Sequence, residues 1–129
     1  MKVLIVDDSE VLVQRLKASL AAVMGVEVVG HAGSVADAAR EIGKAKPDVI
    51  VLDIQMPGGS GIGLLESLMK DPSPPVVIML SNYSYQQYRK KCLRCGARFF
   101  FDKSSEFHKV AETLQSMMDP PLVGEEVGK

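Results

Sequence analysis

Val3-Leu4-Ile5-Val6-Asp7-Asp8 opens the chain, Val49-Ile50-Val51-Leu52-Asp53 repeats its form near the middle, and Phe99-Phe100-Phe101-Asp102-Lys103 follows later. Each stretch is a short apolar run closed by charge. A run that is apolar at every position, not at alternate ones, reads as a parallel strand buried on both faces. In an open α/β sheet the site lies at the carboxyl ends of such strands. Folded in that way, Asp7, Asp8, Asp53 and Lys103 meet in one crevice. Carboxylates that close repel each other unless a cation sits among them or a proton is taken up. The pattern therefore points to a hard divalent cation, and magnesium suits oxygen ligands shared with a phosphoryl group.

Strands and helices alternate around these runs. Lys2–Val6 is the first strand. The spacing of Leu12, Leu16, Leu20 and Val23 predicts a helix from about Ser9 to Met24, ended by Gly25. A second strand is expected over Val26–His31. Gly33-Ser34 supplies a turn and cap for an Ala-rich helix over about Val35–Ala45, which Pro47 stops. After the third strand, Val49–Leu52, the flexible Gly58-Gly59-Ser60-Gly61 leads into a helix over Ile62–Lys70. Asp71-Pro72-Ser73-Pro74-Pro75 is a stiff loop before a strand over Val76–Leu80. A helix over about Tyr85–Cys95, capped by Gly96, precedes a strand over Arg98–Phe101 and a helix over about Ser105–Met118. Five strand-then-helix units imply a parallel sheet covered on both faces by right-handed crossovers. Residues 119–129 read as a short disordered tail behind one domain over residues 1–118.

Composition narrows the function classes. A chain of 129 residues is one domain. Its 47% hydrophobic and 24% charged residues are an ordinary globular balance. A net charge of −1 gives no electrostatic footprint for nucleic acid. No apolar run approaches the ~18 residues of a membrane helix, and the N-terminus shows no secretory leader pattern. Cys92 and Cys95 have no second Cys/His pair nearby to complete a zinc site. A reducing, cytoplasmic setting is expected. His31 and His108 read as solvated side chains.

Asp7-Asp8, Asp53, Ser81 and Lys103, together with Met56-Pro57 and Gly96-Ala97, resemble a response-regulator receiver domain, from about Met1 to Met118. The resemblance implies a flavodoxin-like (βα)5 fold with strand order 2-1-3-4-5. It makes Asp53 the phosphoacceptor, attacking the phosphoryl group on a histidine of a sensor kinase or phosphotransfer protein. Asp7, Asp8, Asp53 and the backbone carbonyl of Gln55 would hold magnesium. Lys103 and the Ser81 hydroxyl would reach the phosphoryl oxygens, and Phe100 would turn inward as the switch aromatic. The only catalysis implied is the domain's own phosphorylation and dephosphorylation. Each residue also has a plainer reading. Two aspartates suit a helix N-terminus, a serine can simply end a strand, and a phenylalanine can simply fill a core.

All seven aromatics lie between Tyr83 and Phe107, and Tyr85 and Tyr88 neighbour Arg89, Lys90, Lys91 and Arg94. Receivers commonly meet downstream proteins through the fourth helix, fifth strand and fifth helix, and Tyr and Arg are hot-spot types. Two positions depart from the family pattern. Ser104 stands where most receivers have Pro, and Asn82 where many have Ala. Gln55, Asn82 and Tyr83 offer no carboxylate to activate water, so slow hydrolysis of phospho-Asp53 is expected. With nothing following the domain, a single-domain switch acting through protein contacts is the first reading. The alternatives are a phosphorylation-independent scaffold, an excised receiver of a larger transcriptional regulator, an aspartate-nucleophile phosphatase and a flavodoxin-like cofactor binder. The phosphatase reading is weakened by adjacent aspartates where those enzymes have Asp-x-Asp. The cofactor reading is weakened by the missing phosphate loop after the first strand.

Overall fold

The computed structural model describes residues 1–83 and 85–118. The expected tail, 119–129, lies outside them. The apolar runs form β1 (Lys2–Val6), β3 (Val49–Leu52), β6 (Val76–Ser81) and β7 (Phe99–Asp102), with β2 (Glu27–Ala32) at one edge. They pair in parallel in the order β2-β1-β3-β6-β7. Counting only these five long strands, this is the expected flavodoxin-like order 2-1-3-4-5.

Why every position in the central runs is apolar is visible in the packing. Side chains alternate across a strand. Val3, Ile5, Val49, Val51, Ile78 and Leu80 face one core with Leu12, Leu16 and Leu20 of α1 (Glu10–Ala21) and Val110 and Leu114 of α5 (Lys109–Met118). Leu4, Val6, Ile50, Leu52, Val77 and Met79 face the other. That second core is covered by Ala38 of α2 (Val35–Ala45), Leu64 and Leu65 of α3 (Gly61–Leu68) and Cys92 of α4 (Gln86–Cys95). A sheet buried on both faces has no polar face to alternate.

Helix starts follow the cap chemistry. Ser9, Ser34 and Ser60 accept backbone N–H groups from Leu12, Asp37 and Ile62. Gly96 ends α4 in the left-handed region, φ 117°.

Three differences from the sequence reading go beyond one or two residues at an element's end. α1 ends at Ala21, not near Met24, because the chain turns through Val23 N–H to Leu20 O and Val26 N–H to Val23 O, burying Val23. α5 begins at Lys109, not Ser105. Asp102 Oδ1 takes the N–H groups of Ser104 and Ser105 at 2.8 and 3.2 Å, which holds that segment as a turn. The segment read as flexible forms a small hairpin, β4 (Gln55–Met56) against β5 (Gly59–Ser60), with Gly58 and Gly59 at positive φ.

Candidate functional site

The backbone ladder carries each charged residue to the same end of the sheet. Asp7 N–H donates to Ala32 O at 2.9 Å, Asp53 N–H to Val6 O at 3.0 Å, and Lys103 N–H to Ser81 O at 3.0 Å. One step beyond these strand ends the side chains converge. The Lys103 ammonium lies 2.7 Å from Asp7 Oδ2 and 3.1 Å from Asp53 Oδ2. Ligand oxygens of Asp7, Asp8 and Asp53 all fall within 4.8 Å of one another. Asp7 and Asp53 are buried, whereas Asp8 is exposed at the rim.

The other oxygen of each buried carboxylate accepts a backbone N–H. Asp7 Oδ1 accepts the Ser9 N–H at 2.9 Å, and Asp53 Oδ1 accepts the Ile54 N–H at 2.8 Å. Burial pushes the Asp7 carboxyl above its ordinary value, although the Lys103 hydrogen bond and the Ser9 N–H pull it back. For Lys103 burial works against the charge, but the Asp7 hydrogen bond and the Asp53 and Asp7 charges outweigh it and raise the ammonium pKa.

Three carboxylates and one ammonium leave two negative charges uncompensated. The donor set is oxygen only. Magnesium demands near-octahedral oxygens at ~2.0–2.1 Å and keeps several waters. The acidic pocket of Asp7, Asp8 and Asp53 fits the donor chemistry of such an ion.

Beside this cluster opens a crevice of about 530 Å³, lined by Asp8, Ser9, Asp53, Gln55, Met56, Pro57, Asn82, Tyr83 and Lys103. The sequence-chosen Gln55, Asn82 and Tyr83 thus stand together at its mouth, all exposed. Ser81 is fully buried behind it, and its Oγ accepts the Tyr83 N–H at 3.1 Å. Phe100 is 3% exposed and packs in the core under α4. No peptide bond of the described residues is cis, Lys103–Ser104 included. Cys92 and Cys95 are free thiols, and burial pushes the Cys92 thiol up to about 11. His31 and His108 are exposed, as expected.

One residue that sequence reasoning missed is Gly61. It opens α3 directly under the site, where its N–H bonds Ile54 O and its Cα faces the Asp53 carbonyl. The only signal in the sequence is the glycine-rich string Gly58-Gly59-Ser60-Gly61 itself.

Residues 3–115 match the response regulator receiver domain family. The chain is 32% identical over 115 residues to the sensory transduction protein LytT of Bacillus anthracis, covering 89% of this chain and 46% of that protein. It spans roughly a quarter to a half of the length of the curated relatives it matches. The solved response regulator domain of Thermotoga maritima CheB superposes with a TM-score of 0.79 at 34% identity, covering 93% of this chain and 98% of that one. A chain of the CheX–CheY–BeF3–Mg complex of Borrelia burgdorferi gives 0.82 at 30%, covering 93% and 90%. With the fold, the strand order and these matches in agreement, the chain belongs to the response regulator receiver domain family.

Proposed function

We propose that Asp53 accepts a phosphoryl group from the phosphohistidine of a sensor histidine kinase or a histidine phosphotransfer protein, with magnesium. The observation that carries this reading is the Lys103 ammonium shared between two buried carboxylates beside a third. An Asp53 oxygen attacks phosphorus, the P–N bond breaks, and its electron pair stays on the imidazole nitrogen. Water later breaks the Asp53 O–P bond, returning the carboxylate and releasing inorganic phosphate. Charge spreads over the phosphoryl oxygens in the transition state, so the protein acts mainly by positioning and neutralising. Lys103 does so as a point charge. Asp7, Asp8, Asp53 and the backbone carbonyl of Gln55 would hold magnesium, which supplies further neutralisation at those oxygens. Ser81 and Phe100 would carry the change of state outward.

Output runs through protein contacts at α4, β7 and α5. Tyr85 is 65% and Leu93 44% exposed there. Lys90, Lys91 and Arg94 have no acidic partner among the described residues. An apolar anchor among unpaired cations suits a protein segment carrying carboxylates. The net charge of −1 argues against direct nucleic-acid binding. No helix of the described residues is long and apolar enough to cross a membrane. The two free thiols suit a cytoplasmic setting. A receiver within a larger transcriptional regulator is a second reading, favoured by the relatives' greater length.

Acetyl phosphate or beryllofluoride with magnesium tests the phosphoacceptor, the adduct being located by mass spectrometry. Modification at Asp53 that vanishes in Asp53→Asn and on chelation is the expected result. Labelling that survives either change refutes it. Amide NMR shifts confined to α1 and α2 on beryllofluoride addition would refute the output surface.

A further inference from the structure

Arg89 differs from the other cations of α4 in being fully engaged. Its Nη1 donates to Phe100 O at 2.8 Å, and its Nη2 reaches Glu106 Oε1 at 3.3 Å. The guanidinium carbon sits 5.0 Å from the centroid of the Phe100 ring. One planar group therefore touches a strand carbonyl, an aromatic face and a carboxylate, which a lysine ammonium cannot do together.

What Glu106 holds gives this contact its reach. Its Oε1 also accepts the Asp102 N–H at 3.0 Å, while the Glu106 N–H returns to Asp102 O at 2.8 Å. Its Oε2 pairs with Lys109 at 2.9 Å. Asp102 Oδ1 in turn takes the Ser104 N–H and hydroxyl at 2.8 and 2.6 Å. Lys103, the residue that bridges Asp7 and Asp53, lies inside this stapled turn. Arg89 thus links the start of α4 to the segment that aims Lys103 at the site.

We infer that Arg89 is a positioning residue: it couples the placement of α4 to the placement of Lys103 through Phe100 O and Glu106. The inference builds on the phosphoacceptor reading of the same site. In the reverse direction, a partner that shifts α4 alters the position of Lys103, since coupling between two sites is reciprocal. Arg89 itself touches no reacting atom.

Hydrogen exchange and amide NMR on the full chain test this with Arg89→Met and Arg89→Lys. Arg89→Met is expected to speed exchange of the Asp102 and Lys103 amides at least tenfold, with β1 and β3 amides unchanged. Arg89→Lys keeps the charge but reaches one acceptor, and recovers part of the protection. Beryllofluoride with magnesium should shift Asp53, Lys103 and α4 amides in wild type, and the α4 shifts should shrink in Arg89→Met while those of Asp53 and Lys103 remain. Equal Lys103 exchange in wild type and Arg89→Met overturns the inference. So does acceleration spread evenly to β1 and β3, which would mark a merely stabilising contact. A wild type with no shift at Asp53 sinks the phosphoacceptor reading instead, and the exchange comparison still decides the role of Arg89.

Discussion

Replacing Gly61 by alanine should damage both the stability and the phosphoryl chemistry, although Gly61 contributes no functional group. Its Cα faces the backbone that carries Asp53. A Cβ there falls inside the contact radius of the Asp53 carbonyl oxygen, 2.9 Å from the Asp53 carbonyl carbon and 3.1 Å from Ile54 Cα. All three obstacles are backbone, so no side chain can rotate away. Normal separation of heavy atoms is ~3.5 Å, so the start of α3 must retreat by roughly 1 Å or more. The retreat strains the bond from Gly61 N–H to Ile54 O. Overpacking costs ~1–3 kcal/mol and a lost backbone hydrogen bond ~1 kcal/mol, giving roughly 2–4 kcal/mol in total. Near 4 °C per kcal/mol, the melting temperature falls by about 8–16 °C.

Gly63 is the control two residues on. Nothing lies within 4 Å of a Cβ there, and it is exposed on the same helix. Gly63→Ala should stabilise by up to ~1 kcal/mol through helix propensity alone. Urea unfolding of the two variants gives the stabilities, and acetyl phosphate labelling gives the chemistry. A shift of even 1 Å in Asp53 can cost ~100-fold in rate, so labelling of Gly61→Ala should drop tenfold or more at temperatures where it is folded. If Gly61→Ala unfolds within 0.5 kcal/mol of wild type and labels at the wild-type rate, the close-approach reasoning is wrong.

Two further outcomes follow from named contacts. The Asp102 N–H, then Lys109 and Arg89, hold Glu106 below its ordinary carboxylate value of 4.5, so the unfolded chain binds more protons in that window and stability rises with pH there; the contribution is complete above about pH 4.5 and is lost as pH falls through the folded value. Glu106→Gln should therefore flatten the acid limb of a urea-melt series below about pH 4.5, and an unchanged limb would refute the pairing. Phospho-Asp53 should decay slowly, because Gln55, Asn82 and Tyr83 at the crevice mouth offer no carboxylate base; Asn82→Ala and Tyr83→Glu should speed decay, and a wild type that decays within seconds would sink the argument.

The charged end of the site was legible because its signals are local. Asp7 and Asp53 each close an apolar run that forms a fully buried central strand, whereas Lys103 follows β7, a mostly half-buried strand at the edge of the sheet. What escaped were properties of tertiary approach. Gly61 looks the same in sequence as Gly63, and only the Asp53 carbonyl above it separates them. Arg89 and Glu106 stand 17 positions apart, beyond any helical spacing rule. Ser105 reads as the start of the last helix, but Asp102 Oδ1 captures its N–H, which delays α5 to Lys109. A two-residue strand such as β4 carries too few side chains to show any period.

Ser81 shows how far one hydroxyl can drive the change of state. Its Oγ accepts the Tyr83 N–H, which leaves its own proton free to donate. Moving that proton onto a phosphoryl oxygen gains ~1.5–3 kcal/mol as a charge-assisted bond, while breaking the Tyr83 bond forfeits ~0.5–1.5 kcal/mol. The net is roughly 1 kcal/mol, against the ~5.5 kcal/mol that carries a population from 1:99 to 99:1. Phe100 is already buried with Arg89 over its ring, so little apolar area remains to be gained by turning it inward. The shortfall has to come from elsewhere. Tyr83 packs edge-on to Tyr88 of α4 at 6.3 Å, so releasing Tyr83 from Ser81 also perturbs the helix that presents Leu93 and the unpaired cations. On the proposed phosphoacceptor reading, phosphorylation would bias α4 only partly, and the remaining free energy would come from a partner that binds the displaced helix more tightly than the resting one.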